Sequence, residues 1–297
     1  MTDPVDDYLV KLKDELSGAD PATMQDALAD AEDHLRTGLA QLLSQNPNLP
    51  ESEAMQKVVD AYGTQAEVAS AYREIEARVP PPLAPGQQKK ERFWASRFFG
   101  VFVDPRAYAS LFYMFFSLTT GVVYFTWAVT GLSLSVGLLV LIIGLPFIAL
   151  FLLSVQGIAL VEGRIVEALL GVRMPRRPIF SQKHLGIWQR FKALVSDKRS
   201  WTTILYMFLQ LPLGVVYFTV FVTMLAFGLA GIAAPVLELG FDVPFAHIDG
   251  TDFHIPAILM PLFVLVGVIW ILLFMHLAKF IGRLHGAYAK ALLVREP

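Results

Sequence analysis

Cysteine is absent from this sequence of 297 residues, and charge is scarce, since Asp, Glu, Lys and Arg make up only 17% of it. Without a thiol there is no disulfide, no cysteine nucleophile and no thiolate-bound zinc or iron–sulfur cluster. The sequence also lacks a phosphate-binding P-loop, a Gly-x-Ser-x-Gly nucleophile turn and a His-Glu-x-x-His zinc pair. We therefore expect neither an enzymatic activity nor a cofactor.

Three long segments contain no Asp, Glu, Lys, Arg or His. They cover residues 107–161, 200–237 and 255–275, which are 55, 38 and 21 residues long. A helix needs about 20 mostly apolar residues to cross a bilayer, so the sequence predicts an all-α, multi-pass membrane protein surrounded by lipid. The predicted spans are about 107–129, 134–158, 202–228 and 256–278. The first hairpin is predicted to turn at Thr130–Ser135.

Charge is distributed unequally along the chain. Residues 1–80 hold 16 acidic and 6 basic residues, a net charge of −10, whereas residues 81–297 hold 10 acidic and 18 basic, a net charge of +8. This asymmetry predicts a small helical bundle at 1–79 and a membrane domain at 93–297, joined by a proline-rich linker at 80–92. We expect no direct binding to nucleic acid, because phosphate repels the acidic region and the basic region flanks membrane spans.

Residues 1–79 have the periodicity of about four short helices. Leu9, Leu12 and Leu16 form one apolar stripe, and Asp20-Pro21 is typical of a helix start. Thr64-Gln-Ala-Glu67 has the spacing of a capping box. The acidic side chains are expected on the exposed faces, where they either only interact with water or dock a basic partner protein.

The strongest pattern in the sequence is an internal repeat at an offset of 93 residues. Residues 97–130, the first copy, are identical to residues 190–223, the second copy, at 16 of 34 positions. Gly121–Thr126 recurs unchanged as Gly214–Thr219. Apolar composition alone does not repeat glycine and charged residues in register, so the pattern indicates duplication of a helical hairpin.

A later match lies at a larger offset. Gly163-Arg164 recurs as Gly282-Arg283, 119 residues further on, so the second hairpin is predicted to carry extra residues within 234–256. With two spans in each hairpin, the two hairpins are expected to be parallel repeats.

Lys and Arg predict the orientation in the membrane. Eight of them lie between residues 171 and 200, and others precede the first span and follow the last, whereas the loops on the opposite side have none. The acidic start lacks the regions of a signal peptide. We therefore expect both termini and the 171–200 connector to be cytoplasmic.

Gly121, Tyr124, Gly214 and Tyr217 lie inside predicted spans. Glycine at a span interface lets two helices approach closely, and the tyrosines are placed to make a polar contact across a pseudo-two-fold axis. The alternative interpretation is that these four residues line a ligand pocket.

Asp104 and Arg106 recur as Asp197 and Arg199, in each case just before a span. A carboxylate is favourable at a helix N-terminus and a cation at the lipid headgroups, so we interpret these pairs as anchors at the cytoplasmic interface. Alternatively, they form salt bridges between the two copies. Glu162, after the second span, is a functional candidate only if it lies deep in the bilayer.

His247, Asp249, Asp252 and His254 lie in an acidic loop predicted on the outer side. Imidazole and carboxylate groups are ligands for divalent metals, so these four residues are a speculative metal site. The other interpretation is a polar loop that folds back as an amphipathic cap. In both cases the loop is the expected receiver of an outside stimulus.

Two regions of the chain resemble known families. Residues 5–77 resemble the HAAS-type helical signalling domain at Tyr8–Leu12, Glu32–Leu35 and Ala61–Ala69. The resemblance implies a cytoplasmic module of membrane sensors that works with PadR-like transcription regulators.

Residues 95–295 resemble the four-span "putative sensor" domain that precedes bacterial histidine kinases. The matching residues are Phe98-Phe99, Asp104-Pro-Arg106, Tyr113, Gly121–Thr126, Ile143–Pro146 and Glu162-Gly-Arg164. The resemblance implies a bacterial cytoplasmic (inner) membrane protein with a sensing role. No kinase sequence follows the spans, so we expect the signal to leave through the bundle or a partner.

Three functions follow from these patterns. The first is a sensor that transmits a membrane or extracytoplasmic stimulus to a cytoplasmic regulator through the bundle. The second is a small membrane transporter or transporter subunit, and the third is a membrane scaffold protein. A homo-oligomer is compatible with each of them.

Overall fold

The computed structural model describes residues 3–84, 98–141, 144–177 and 187–294. These residues are almost entirely helical, as the sequence predicts, and the all-α assignment is confirmed. The predicted linker at 80–92 lies outside the described residues from 85 onward, as does Ile143 of the second resemblance.

Four helices form the N-terminal bundle: α1 (Pro4–Glu15), α2 (Pro21–Gln45), α3 (Glu51–Tyr62) and α4 (Gln65–Arg78). The Asp20 side chain caps α2 by accepting from Ala22 N–H, and proline occupies its first position. Thr64 and Glu67 form the predicted capping box at α4. The pKa of the Glu67 carboxyl is lowered by the hydrogen bonds that it accepts from the Thr64 N–H and hydroxyl groups.

The bundle has its own hydrophobic core. Val5, Leu12, Leu16 and Leu35 are fully buried in it. Buried Tyr8 donates to the carbonyl oxygen of Gly63 at 2.8 Å, and burial raises the pKa of its phenol to about 12. The core explains why so acidic a segment folds, because its apolar stripes meet in the centre while its carboxylates face outward.

The described part of the chain contains four helices that are long and apolar enough to cross a membrane. They are α5 (Pro105–Leu138), α6 (Gly144–Leu170), α8 (Lys198–Phe241) and α9 (Met260–Leu293). A short helix, α7 (Ile187–Ser196), precedes α8, and β1 (Ala246–Ile248) pairs with β2 (Thr251–Phe253) between α8 and α9.

The predicted first turn at Thr130–Ser135 is wrong, because α5 continues to Leu138. The second predicted span, 134–158, therefore begins about ten residues too early, since α6 begins at Gly144. A helix pairs its own backbone groups, which favours its continuation in apolar surroundings. Gly131 is instead a packing position, where a Cβ atom would lie 2.0 Å from the Phe151 ring.

Both later membrane helices also extend beyond their predicted ends. α8 continues past residue 228 to Phe241 and contains Pro212 and Pro235, and α9 continues past residue 278 to Leu293. His285 therefore lies within a helix, whereas the predicted span placed it outside.

The chain forms two compact units. One contains the described residues of Met1–Ala84, Ala128–Tyr206 and Gly286–Pro297. The other contains the described residues of Pro85–Trp127 and Met207–His285. The N-terminal bundle thus shares a unit with the end of α6, the connector that follows it and the end of α9.

Candidate functional site

The two repeated glycines make reciprocal contacts in the second unit. A Cβ atom on Gly121 would lie 2.7 Å from the carbonyl oxygen of Gln210, and one on Gly214 would lie 2.6 Å from that of Ser117. Each glycine thus faces the backbone of the other copy's helix, the close approach expected of small residues in spans. The backbone of the facing helix therefore fills the space directly beside each glycine.

Tyr217, the second copy's predicted ligand-binding tyrosine, contacts a histidine. Its hydroxyl lies 3.2 Å from His285 Nδ1, and the hydroxyl of Tyr113 lies 2.7 Å from His285 Nε2. A neutral imidazole has one donor and one acceptor nitrogen, so one tyrosine donates to the ring and the other accepts from it. Tyr124 is buried in the same unit. Sequence reasoning missed His285 because it ended the last span at residue 278.

The two Asp-x-Arg pairs cap their helices in the same way. Asp104 Oδ1 accepts from Arg106 N–H at 3.1 Å, and Asp197 Oδ1 accepts from Arg199 N–H at 3.2 Å. Their other partners differ. Asp104 forms an ion pair with Lys279, whereas Asp197 accepts from Gln156 at 3.5 Å.

Each Asp-x-Arg pair also has a partner on α9. Arg199 is buried and donates from Nε to the carbonyl oxygen of Leu293 at 3.0 Å. The carboxylate of Asp104 pairs with Lys279, also on α9. Burial raises the pKa of the Asp104 carboxyl, but hydrogen bonds from Lys279 and from Arg106 N–H outweigh it, so the pKa lies below its usual value.

Two glutamates on α6 are buried in the first unit. Glu162 is 1% exposed and accepts from the Tyr206 hydroxyl at 2.7 Å. Glu167 is 4% exposed and pairs with Arg164 and Arg176, each at 3.1 Å. Buried carboxylates need such partners, and Glu167 also links α6 to the connector that follows it.

The loop between α8 and α9 does not bring the four predicted metal ligands together. His247 and Asp252 are cross-strand neighbours 2.6 Å apart, whereas His254 lies 3.2 Å from Glu238 on α8. Asp249 occupies the turn. Nowhere in the described part of the chain do three His, Asp or Glu side chains lie close enough to hold a metal.

The segment after α6 lies against the N-terminal bundle. It begins at Gly171, whose φ of +69° lies in the left-handed region that favours glycine and where a Cβ atom would lie 2.4 Å from the carbonyl oxygen of Leu83. Arg173 then donates to the carbonyl oxygen of Glu76 at 3.4 Å. These contacts hold the chain beside α4 as it leaves the membrane helix.

Two carboxylates on α2 bind the next part of this segment. Asp26 Oδ1 accepts from the backbone N–H groups of Arg176 and Arg177, at 2.7 and 2.8 Å. Burial raises the pKa of the Asp26 carboxyl, although both hydrogen bonds act in the opposite direction. Asp30 forms an ion pair with the Arg177 guanidinium.

The last helix also contacts the bundle. Lys290, near the end of α9, forms an ion pair with Asp20, the residue that caps α2. The bundle therefore binds the ends of two membrane helices, α6 through its following segment and α9 directly. Sequence reasoning treated these aspartates as part of a uniformly acidic surface and did not single them out.

Four apolar helices of membrane length, with a helical bundle bound to the ends of α6 and α9, define a class of multi-pass membrane protein. Within that class the chain belongs to the family described as "Putative sensor", whose model matches residues 113–293. No curated protein and no solved structure matches the chain.

Proposed function

We propose that this chain is a membrane sensor that transmits a stimulus to a cytoplasmic regulator through its N-terminal bundle. The role is regulatory and not catalytic. The observation that carries the proposal is that α2 binds the ends of two membrane helices: Asp20 pairs with Lys290 of α9, and Asp26 and Asp30 bind the segment after α6. A stimulus that moves either helix end changes these contacts, and hence the surface that the bundle presents.

The resemblance to the HAAS-type domain and the family match support the proposal from two sides. The first assigns the bundle to signalling, with a PadR-like transcription regulator as the partner. The second assigns a sensing role to the helices of residues 113–293. The stimulus would act on the spans or on the outer loop of β1 and β2, and a homo-oligomer is compatible with this arrangement.

The proposed orientation places both termini and the 171–200 connector in the cytoplasm of a bacterium. The distribution of Lys and Arg supports it, and so do the contacts of the bundle with Arg176, Arg177 and Lys290. An N-terminal tag should therefore be inaccessible to a membrane-impermeant label in intact cells. Labelling from outside would contradict this orientation.

The test of transmission is capture of the regulator by the tagged full-length chain, solubilised from its own cell membranes. Lys290→Glu breaks the ion pair with Asp20 and should change the amount of a recovered winged-helix regulator by at least threefold. Lys57→Glu is the matched control, because Lys57 pairs only with exposed Glu53 on its own helix. The proposal fails if no cytoplasmic regulator is recovered with either variant or with the unmodified chain.

A further inference from the structure

The segment that binds the bundle has the geometry of a bound peptide. Residues 171–176 have no regular secondary structure, and they run along the bundle from Leu83 and Glu76 to α2. Asp26 holds two successive backbone N–H groups of this segment. Every residue except proline has a backbone N–H group. Asp26 can therefore bind any extended segment that has no proline at these two positions.

The Asp30 carboxylate binds the positive charge of this segment. Asp30 lies one helical turn after Asp26, on the same face of α2. Its Oδ2 accepts from the hydroxyls of Tyr62 and Tyr72, at 3.3 and 3.0 Å, while its Oδ1 faces the Arg177 guanidinium. These two hydroxyl donors fix the orientation of the Asp30 carboxylate, so that its other oxygen faces the guanidinium. Burial and the Asp30 charge raise the pKa values of both phenols, which keeps them protonated as donors.

We infer that this surface, formed by Asp26 and Asp30 with Tyr62 and Tyr72, is a binding groove for an extended basic peptide. In the structure the chain's own residues 173–177 occupy the groove. A cytoplasmic regulator with an equivalent segment, in which an arginine and the residue before it both have free backbone N–H groups, binds by displacing the chain's own residues. This inference rests on the proposed function and names the chemistry of its partner.

Displacement is feasible because the internal segment is held by few and partly exposed contacts. The Arg177 side chain is 53% exposed and that of Arg176 is 41% exposed. Exposed ion pairs contribute little to stability. A tethered segment nevertheless competes at an effective concentration on the order of millimolar, so the groove is closed to weak ligands until the segment is released.

The experiment measures binding of a rhodamine-labelled peptide with the sequence of residues 171–177 to the full-length chain in nanodiscs, by fluorescence anisotropy. Arg177→Glu in the protein places a carboxylate beside Asp26 and Asp30 and should release the internal segment. We expect this variant to bind the peptide at least tenfold more tightly than the unmodified chain. Equal affinities would overturn the inference.

Two further arms identify the groove as the binding site. Adding Asp30→Asn to the Arg177→Glu protein should weaken peptide binding at least fivefold. Asp60→Asn, which removes an exposed charge that contacts Gln56 on its own helix, should leave binding unchanged. If both changes weaken binding equally, only general attraction between opposite charges is present and the groove is rejected.

The last arm changes the peptide instead of the protein, so it needs no protein variant beyond Arg177→Glu. Replacing the arginine of the peptide that corresponds to residue 177 with glutamate should abolish binding of the peptide to the Arg177→Glu protein. Capture of a regulator without any peptide binding would reject the groove and leave the proposed function standing. Peptide binding without capture would support the groove and reject the proposed function.

Discussion

The two copies of the repeat make the same contacts where backbone and packing are involved, and different ones where polar side chains are involved. Besides the glycines, the phenylalanines are reciprocal: Phe125 packs edge-on against Phe208, and Phe218 against Phe115, at 5.5 and 6.0 Å between ring centres. Even non-identical residues preserve a contact. Tyr108 donates to the carbonyl oxygen six residues earlier, and so does Trp201.

The two copies differ in the residues that their polar side chains bind. Tyr113 and Asp104 of the first copy bind His285 and Lys279 on α9. Their counterparts, Tyr206 and Asp197, bind Glu162 and Gln156 on α6. The first copy thus contacts an imidazole and a cation, and the second contacts a carboxylate and an amide. The packing residues must allow the same close approach of the helices in both copies. The polar residues are not restricted in this way and bind different partners.

The largest effect is expected at the shared glycines. Gly121→Ala or Gly214→Ala places a methyl group within 3 Å of a carbonyl oxygen of the facing helix. Overpacking of this kind costs about 2–3 kcal/mol, and the two variants should lose similar amounts because their contacts are reciprocal. The measurement is the midpoint of thermal unfolding in detergent.

Gly137→Ala is the matched control, since it lies on the exposed surface of α5 with no atom near its Cβ position. Alanine has the higher helix propensity by about 1 kcal/mol, so this variant should be as stable as the unmodified chain or more so. A loss confined to one of Gly121 and Gly214 would contradict the reciprocal packing.

A smaller effect, and a difference between the copies, is expected at the tyrosines. Tyr206→Phe removes a hydrogen bond to the buried Glu162 carboxylate and should cost about 2 kcal/mol, because bonds to charged groups are the stronger ones. Tyr113→Phe removes a bond to the His285 imidazole and should cost about 1 kcal/mol.

Unfolding midpoints of these two variants test whether the polar positions have diverged in energy as well as in chemistry. Tyr108→Phe removes an exposed hydrogen bond to a backbone carbonyl oxygen, so it controls for the loss of a hydrogen-bonded hydroxyl outside the buried interior. Equal losses at Tyr113 and Tyr206 would mean that the difference in partners has no energetic consequence.

The sequence was sufficient to predict the membrane helices but not their ends. Hydropathy identifies a helix by the residues that lipid surrounds, and helices such as α8 and α9 continue beyond them. The predicted turn at Thr130–Ser135 contains a glycine, but Gly131 lies within α5 and makes room for Phe151. The same residue type signals a turn or a close contact, and the difference depends on a helix elsewhere in the chain.

The alignment of the second hairpin helices also needed the structure. The match of Gly163 with Gly282 gives an offset of 119, but the partners Glu162 and His285, like Gln156 and Lys279, are 123 residues apart. The difference of four residues is about one helical turn. Residues four positions apart lie on the same face of a helix. An alignment that is shifted by one turn therefore still pairs equivalent faces, and a short sequence match does not reveal the shift.

The contacts of the bundle with the connector could not be predicted from local patterns. Asp26 is one of 16 acidic residues in the first 80, and its spacing does not distinguish it from its neighbours. Its partners follow about 150 residues later and bind through backbone N–H groups, which every residue except proline has. Charge complementarity between the two regions was visible, but the pairing of particular residues was not.

The smallest effect is expected at the capping aspartates, where one substitution separates charge from capping. Asparagine caps a helix about as well as aspartate, so Asp104→Asn removes only the ion pair with Lys279, a partly exposed contact that contributes about 1 kcal/mol or less. Asp197→Asn, which faces Gln156, should have no measurable effect.

The pH dependence of the Asp104 ion pair gives a second test. Because the pKa of the Asp104 carboxyl is lowered in the folded chain, the stability that the ion pair contributes is complete above the unfolded pKa of 3.8 and is lost as pH falls through the folded pKa. Unfolding midpoints at pH 7 and at a pH below the folded pKa, each at low and high salt, should therefore differ between Asp104→Asn and the unmodified chain only at pH 7 and low salt. A loss at Asp197 equal to that at Asp104 would show that the two copies have kept equivalent polar contacts after all.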